Sequence, residues 1–271
     1  MAERPGLDAT QLERYARQIV LDGVGPAGQA RLVDGRVLVV GAGGLGSPVV
    51  QYLAAAGVGT LGVADGDVVE RSNLQRQVLH GEADVGRPKT ESARAFVADL
   101  NPGVTVETHD RVTPANAADI VPEYDVVVDA SDNIPTRYLV NDACTIAGVP
   151  LVYGAVYRFE GQAATFLPRP ESPCYRCLFP EAPPADAVPD CATAGVLGAV
   201  PGVVGTVQAS EALKLRLDVG DPLDGRLLAV DVAAMSFDEV PVRPDPDCPV
   251  CGDDPTITDL STVDYAGSCV P

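Results

Sequence analysis

Apolar and polar residues follow two alternating spacings along residues 36–150. Short apolar runs rich in β-branched residues, bounded by turn residues, predict strands at RVLVVG, TLGVAD, VTVET and DVVVDAS. Between these runs, apolar residues recur at helical spacing and predict helices at 47–57, 88–100, 114–121 and 133–147. The alternation predicts an α/β fold with a doubly wound, Rossmann-like and mostly parallel sheet.

A further helix is predicted at residues 8–22, before the first strand. Thr10 and Glu13 have the spacing of a capping box, and apolar residues follow at helical intervals: Leu12, Tyr15, Ala16, Ile19 and Val20. Arg14 lies off this apolar stripe. The residues alone therefore favour a solvated position for Arg14.

The pattern changes beyond residue 150. PLVYGAV and GQAATFLP predict adjacent strands, and a Pro-rich segment follows at 168–189. A long helix is predicted near 203–217, and two more strands are predicted at 226–242. No long polar linker separates this half from the first, so we expect it to extend the same sheet with antiparallel strands.

These elements predict a single domain over residues 1–252. It comprises the N-terminal helix, a nucleotide-binding half at 35–150 and a second half at 151–252. Residues 253–271 carry several aspartates and no helical or strand pattern, so we expect an acidic tail.

The charge balance is strongly acidic. Aspartate and glutamate number 38 against 19 lysines and arginines, and the net charge of −19 disfavours nucleic acid as a partner. A phosphate-binding site must then be a local island of positive charge. Lysine occurs only at Lys89 and Lys214, and this carboxylate-rich, lysine-poor composition favours a salt-rich cytoplasm.

The chain has no segment typical of membrane insertion. MAERPGLDAT lacks the apolar core of a signal peptide, and the longest apolar stretch, VLGAVPGVVGTV, is short and interrupted by glycines. We therefore expect a cytoplasmic protein that does not bind membranes.

The turn after the first strand has the spacing of a phosphate-binding loop. Gly41, Gly43 and Gly46 form G-x-G-x-x-G, which lets backbone N–H groups and a helix N-terminus approach phosphates. Asp65 closes the second strand, where a carboxylate can accept hydrogen bonds from ribose hydroxyls. Taken alone, this pair of features also fits an NAD-dependent oxidoreductase or a catalytically silent nucleotide-binding scaffold.

The segment after the second strand favours a triphosphate instead. It brings together cationic and amide side chains where a nicotinamide would need apolar walls: Asn73, Arg76, Gln77, Arg87 and Lys89. Arginine and lysine clamps of this kind stabilise the charge that develops on a leaving pyrophosphate.

Two aspartates follow the fourth parallel strand, at the sheet edge where α/β proteins collect ligands. Mg²⁺ usually takes one or two carboxylates together with substrate phosphates. Asp129 could instead serve as a helix cap, and the residues alone leave open which of Asp129 and Asp132 would hold magnesium.

The seven cysteines include two C-x-x-C pairs. Cys174 with Cys177 and Cys248 with Cys251 predict a Cys₄ zinc site, which is structural because four thiolates leave no open coordination position. Cys191 stands apart from both pairs and is a candidate for covalent chemistry. Asp190 would raise its pKa, so a reactive thiolate would need help from a mobile cation such as Arg176.

Eight motifs in sequence order resemble the MoeB/ThiF family of adenylyltransferases, which are related to ubiquitin-activating enzymes. The motifs are RYARQIVL, GAGGLGSP, SNLQRQVLH, VGRPKTESA, DASDN, EGQ, PCYRCLFP and DCPVCG, and the resemblance covers roughly residues 10–252. With its acidic, lysine-poor surface, the chain resembles a haloarchaeal-type member.

The resemblance implies a reaction. Members of this family bind MgATP and adenylate the C-terminal glycine of a small ubiquitin-like or sulfur-carrier protein, releasing pyrophosphate. The activated carrier serves sulfur transfer, for molybdopterin or tRNA thiolation, or protein conjugation. The half at 151–252 would bind the carrier, and a separate protein would donate sulfur, because no sulfurtransferase domain follows in this sequence.

The resemblance also implies residue roles. Gly41, Gly43 and Gly46 would line the nucleotide, Asp65 would bind its ribose, and Asp132 would hold magnesium. The phosphates would meet Asn73, Arg76 and Lys89, together with Arg14 from the opposite subunit of a homodimer. Cys191 would form a thioester or an acyl-disulfide with the activated carrier.

Overall fold

One eight-stranded sheet organises the computed structural model, which describes residues 6–181 and 195–265. The strands, in chain order, are β1 Arg36–Val40, β2 Thr60–Ala64, β3 Thr105–His109, β4 Val126–Asp129, β5 Leu151–Tyr157, β6 Glu160–Phe166, β7 Arg226–Asp231 and β8 Ser236–Pro241. They lie in the order β3-β2-β1-β4-β5-β6-β7-β8. Pairs from β3 to β5 are parallel and those from β5 to β8 are antiparallel, as predicted.

Helices cover both faces of the sheet. Those described are α1 Ala9–Arg14, α2 Ala16–Ile19, α3 Gly25–Val33, α4 Gly46–Ala56, α5 Lys89–Leu100, α6 Ala117–Ile120, α7 Ile134–Ala147, α8 Tyr175–Leu178 and α9 Ala199–Leu217. Short 3₁₀ turns lie at Arg71–Asn73, Glu82–Asp84, Val121–Glu123 and Leu260–Thr262. None of these helices has both the length and the hydrophobicity needed to cross a bilayer.

The central strands bury both faces, as their unbroken valine runs predict. Val37 and Val39 of β1 belong to a core shared with α4, α5 and α9. Leu38 and Val40, on the opposite face, pack in a second core with α7. The doubly wound, Rossmann-like class predicted from the sequence is therefore confirmed.

The N-terminal helix differs from the sequence prediction. Asp8, not Thr10, is the N-cap, and it forms a capping box with Gln11. Tyr15 interrupts the helix between α1 and α2, because its side chain turns inward and its hydroxyl accepts a hydrogen bond from Asn101 Nδ2 at 2.9 Å. Of the predicted apolar stripe only Tyr15 is buried, while Leu12 and Val20 remain exposed.

Helix α3 has no counterpart in the sequence prediction. Glycines at both Gly25 and Gly28, with Pro26 between them, obscure its periodicity. Proline is tolerated there because it occupies the first turn, where its missing N–H costs no hydrogen bond.

The segment 253–265 packs against the domain, where the sequence predicted only an acidic tail. Leu260 and Tyr265 are buried in the α7 core. The Tyr265 hydroxyl donates to Asp142 Oδ2 at 2.8 Å, and Asp142 is fully buried. Arg176 donates to the same carboxylate through Nε at 2.8 Å and Nη2 at 2.6 Å. The segment is thus fixed by a buried, charge-assisted network.

Replacing Tyr265 by Phe should lower the free energy of unfolding by about 1–3 kcal/mol, because a buried carboxylate oxygen loses a donor. Urea denaturation at fixed salt measures the change. Tyr52→Phe is the matched control, since the Tyr52 side chain is exposed on α4. Identical unfolding midpoints for Tyr265→Phe and the unmodified protein would contradict the network's role.

Candidate nucleotide site and cysteine cluster

A pocket opens where the carboxyl ends of β1, β2 and β4 meet the glycine turn. Its lining brings together most of the residues singled out in the sequence, namely Gly41, Gly43, Asp65, Arg76, Gln77, Lys89 and Asp132. It also contains two arginines that the sequence analysis did not select, Arg111 and Arg137. The lining also includes the apolar residues Val156, Val196 and Pro201.

The glycine turn is tight because two backbone segments touch. Gly41 has φ +99°, and a Cβ there would lie 2.7 Å from the Ala130 carbonyl oxygen. Gly46 does not line the pocket, but a Cβ on it would lie 1.9 Å from the Gly41 oxygen. Only glycine permits this approach, and it directs the N-terminus of α4 toward the pocket.

Asp65 and His80 fix the turn from opposite sides. Asp65 accepts hydrogen bonds from the backbone N–H groups of Ala42 and Asp67, each at 2.8 Å. His80 lies 2.8 Å from the Ala42 carbonyl oxygen through Nε2 and 2.8 Å from Ser92 Oγ through Nδ1. Burial lowers the pKa of His80, which favours a neutral ring that donates to Ala42 and accepts from Ser92.

Lys89 is held at the start of α5 by carboxylates. Its Nζ lies 3.0 Å from Asp67 Oδ2 and 4.0 Å from Asp65 Oδ2, and only 8% of its side chain is exposed. Arg111 Nη2 lies 2.7 Å from Asp67 Oδ1. Burial raises the pKa of Asp67, but the two cations outweigh burial and leave that pKa below its usual value. The negative charge of Asp67 thus gathers two cations at the pocket.

The other members of the predicted basic cluster differ in whether they line the pocket. Arg76 lines the pocket, and its Nη1 donates to the Ser72 carbonyl oxygen at 3.2 Å. Asn73 is buried beneath the pocket, where its carbonyl oxygen accepts from the N–H groups of both Arg76 and Gln77. Arg87 is instead paired with Asp84 and does not line the pocket, contrary to the expectation for that residue.

The two aspartates after β4 have different surroundings. Asp129 is buried, its Oδ1 accepts from Ser131 N at 2.9 Å, and burial raises its pKa. Asp132 is exposed at the pocket wall and makes no hydrogen bond or ion pair with another described residue. A free carboxylate at the surface of a phosphate pocket fits a hard cation such as Mg²⁺.

Arg14 does not line the pocket of its own chain. Its Nη1 donates to the Leu100 carbonyl oxygen at 3.0 Å, and the residue is exposed. A contribution from Arg14 to a nucleotide site would therefore have to come from a second chain.

The four cysteines predicted to bind zinc converge in one cluster. The Sγ atoms of Cys174, Cys177, Cys248 and Cys251 all lie within 4.8 Å of one another. Neighbouring pairs are 3.6 Å apart for Cys174 with Cys248 and 3.4 Å apart for Cys177 with Cys251. These separations are too long for a disulfide and close to the roughly 3.8 Å edge of a tetrahedron with Zn–S bonds of about 2.3 Å.

The other three cysteines lie outside this cluster. Cys144 is a buried residue of α7. Cys191 and Cys269 lie outside the described residues. Arg176, offered as a mobile helper for Cys191, is instead bound by both donors to Asp142 and stacked over the Tyr138 ring, 4.7 Å from its centroid.

Comparison with known families gives a clear match, because residues 15–250 fit the model of the ThiF family. The chain belongs to the ThiF family. The resemblance drawn from the eight motifs is thereby confirmed.

Two relatives match this ThiF-family chain along almost its whole length. It is 61% identical to the "SAMP-activating enzyme E1" of the haloarchaeon Haloferax volcanii, covering 97% of each chain. It is 55% identical to the "Sulfur carrier protein adenylyltransferase" of Thermus thermophilus, covering 96% of this chain and 97% of the relative. Among solved structures, the fold resembles Escherichia coli MccB in complex with N-formylated MccA, with a TM-score of 0.79, 23% identity, and coverage of 91% of this chain and 77% of MccB.

The cysteine cluster should hold about one zinc ion per chain, as a four-thiolate site does. Cys248→Ser should reduce the zinc content of the purified protein to near zero and lower its melting temperature. Elemental analysis and thermal unfolding measure both effects, with Cys144→Ala as the control because Cys144 lies outside the cluster. Equal zinc in Cys248→Ser and the unmodified protein would contradict the assignment.

Proposed function

We propose that this chain is an ATP-dependent adenylyltransferase for the C-terminal glycine of a small ubiquitin-like or sulfur-carrier protein. The printed names of its relatives, a SAMP-activating enzyme and a sulfur carrier protein adenylyltransferase, support this assignment. The observation that carries it is the meeting of the glycine turn, Arg76, Lys89 and the free carboxylate of Asp132 in one pocket. This arrangement does not favour an NAD-dependent oxidoreductase, in which apolar walls would surround the nicotinamide at this position.

The proposed placement of ATP follows from the pocket's polarity. Its phosphates would lie against the N-terminus of α4 and the cations of Arg76 and Lys89, with Gly41 and Gly43 allowing close backbone approach. Asp65, at the end of β2, would receive the ribose hydroxyls. Asn73 would act indirectly, since its carbonyl holds the backbone of Arg76.

Asp132 would hold magnesium, because its carboxylate is exposed at the pocket and has no partner among the described residues. Such an ion would neutralise charge on the triphosphate. The cysteine cluster would hold zinc in a structural role, joining the segment at Cys174–Cys177 to the one at Cys248–Cys251.

The reaction requires positioning and charge stabilisation by the protein. One oxygen of the carrier's terminal carboxylate forms a bond to the α-phosphorus, and the bond from that phosphorus to the bridging oxygen breaks. The bond's electron pair leaves with pyrophosphate, whose growing charge Lys89 and Arg76 would stabilise. The step forms an acyl-adenylate and involves no covalent enzyme intermediate.

The proposal for the steps after adenylation is based on the names of the relatives and on the presence of Cys191. We propose that the activated carrier is used for sulfur transfer from a separate donor protein, in molybdopterin or tRNA thiolation, for protein conjugation, or for both, in the cytoplasm. Attack of the Cys191 thiolate on the adenylate would release AMP and leave a thioester. Intact mass spectrometry after reaction with ATP and carrier distinguishes a thioester, an acyl-disulfide and an unmodified thiol.

Carrier-dependent exchange of labelled pyrophosphate into ATP tests the central step. The unmodified protein should catalyse it, and Lys89→Met should slow it by about 100-fold or more, since a buried donor to the developing charge is lost. Arg94→Met is the matched control, because Arg94 lies on the same helix but is exposed and paired with Glu91. Absence of exchange with every ubiquitin-fold protein of the same cell would overturn the function, and retained ATP without turnover would indicate a silent scaffold.

The proposed homodimer, with Arg14 acting on the partner's phosphates, predicts complementation. Arg14→Ala and Lys89→Met should each be inactive as homodimers. A purified heterodimer of the two should recover about half of the normal exchange activity, because one of its two sites then has both residues intact. Exchange that stays at background in the heterodimer would show that Arg14 does not act across subunits.

A further inference from the structure

Arg137 lines the same pocket as Arg76 and Lys89. It lies in the first turns of α7, five residues after Asp132, and lines the pocket together with Asp132 and Thr136. Its guanidinium lies over the buried ring of Tyr153, with Cζ 5.8 Å from the ring centroid. Tyr153 is itself packed against Phe166 and Tyr175. A long cationic side chain is thus immobilised on an aromatic surface.

The charge of Arg137 is left without a matched anion. No described carboxylate lies within ion-pair distance of it. Its side chain is hydrogen-bonded to Tyr175, and its Nη2 makes a longer contact, 3.4 Å, with the Ser131 carbonyl oxygen. Its Nε is buried without an acceptor. The charge of Asp129 influences Arg137, although the two side chains form no ion pair.

Unpaired buried polar atoms are unfavourable unless a ligand completes them. A guanidinium with unused donors requires an anion with planar oxygens, because its fork matches a carboxylate or phosphate edge. The donors that Arg137 leaves open at the pocket therefore indicate a site for an anionic group of a substrate.

The other cations of the pocket narrow the choice of anion. Lys89 and Arg111 both pair with Asp67. Arg76 lies beside the glycine turn, because a Cβ added to Gly44 would be 3.5 Å from the Cγ atom of Arg76. Arg76 and Lys89 are the cations proposed to bind the triphosphate, and Arg111 is paired with Asp67. The proposed reaction has one further anion, the terminal carboxylate of the carrier protein, and Arg137 remains to receive it.

We propose that Arg137 binds the C-terminal carboxylate of the carrier protein and directs one of its oxygens toward the α-phosphorus of ATP. This inference rests on the proposed function and assigns the residue that recognises the nucleophile. Arg137 donates to one oxygen and leaves the other free to attack. Because the carboxylate loses its negative charge as the acyl-adenylate forms, the contact is stronger before reaction than after it.

Two consequences follow for the kinetics. Loss of Arg137 should raise KM for the carrier more than it lowers kcat, since the contact belongs mainly to the bound substrate. KM for ATP should change little, because the phosphates are held by other residues. Arg137→Lys should recover part of the affinity, since an ammonium keeps the charge but not the planar fork.

A binding comparison isolates the carboxylate contact from general effects on folding. The probe is a ubiquitin-fold protein of the same organism that ends in glycine, prepared as the free acid and as the C-terminal amide. Dissociation constants are measured with an ATP analogue that has a methylene group between the α- and β-phosphorus atoms. The unmodified enzyme should bind the free acid about 10- to 100-fold more tightly than the amide, as expected for a charge-assisted hydrogen bond.

In Arg137→Met the preference for the free acid should fall to about one, while affinity for the amide stays unchanged. Arg94→Met, at an exposed arginine outside the pocket that is paired with Glu91, should retain the preference. The assignment is overturned if Arg137→Met still prefers the free acid, or if it loses affinity for the acid and the amide equally. In either case the proposed function still holds as long as the unmodified enzyme catalyses pyrophosphate exchange. If the unmodified enzyme catalyses no exchange, the proposed function fails first and the assignment with it.

Discussion

Backbone contact around Gly41 and Gly46 is the constraint on which the pocket depends. The end of β1 lies against the loop after β4, and the Gly41 carbonyl lies against the first residue of α4. A single methyl group at either glycine would separate these segments. The contact brings the start of α4, Asp65 and the residues after Asp129 to one edge of the sheet, where parallel strands all present their carboxyl ends.

Positive charge at this edge is maintained in a chain with a net charge of −19. Asp67 makes this possible, because one carboxylate holds both Lys89 and Arg111 beside the turn. An acidic surface is therefore compatible with cations in the pocket, because the carboxylate of Asp67 pairs with two of them there. The same contrast in potential would favour the entry of an anionic nucleotide into the pocket over other surfaces of the protein.

Local sequence signals predicted the parts of the molecule that depend on local geometry. The glycine spacing, the strand after which Asp65 lies and the two C-x-x-C pairs each reflect a turn or a ligand set whose spacing is fixed along the chain. Arg137 and Arg111 were missed because their importance comes from neighbours distant in sequence, Tyr153 and Asp67. A signal for Arg137 did exist, since a cation in the first turns of a helix opposes the helix dipole. The burial of Asp142 and Tyr265 had no comparable signal, because it arises only when α7, α8 and the C-terminal segment pack together.

Helix α7 runs between the pocket and the cysteine cluster. It begins at Ile134, two residues after Asp132. In its middle, Asn141 accepts a hydrogen bond from the backbone of Tyr175 and Asp142 binds the side chain of Arg176, both of which lie between Cys174 and Cys177. About 10–12 Å of continuous helix, from Ile134 to Asn141 and Asp142, thus connects the pocket to the segment that carries Cys174 and Cys177. Displacement of Tyr175 or Arg176 beside the cysteine cluster would therefore act on α7, the same helix whose first residues adjoin the pocket.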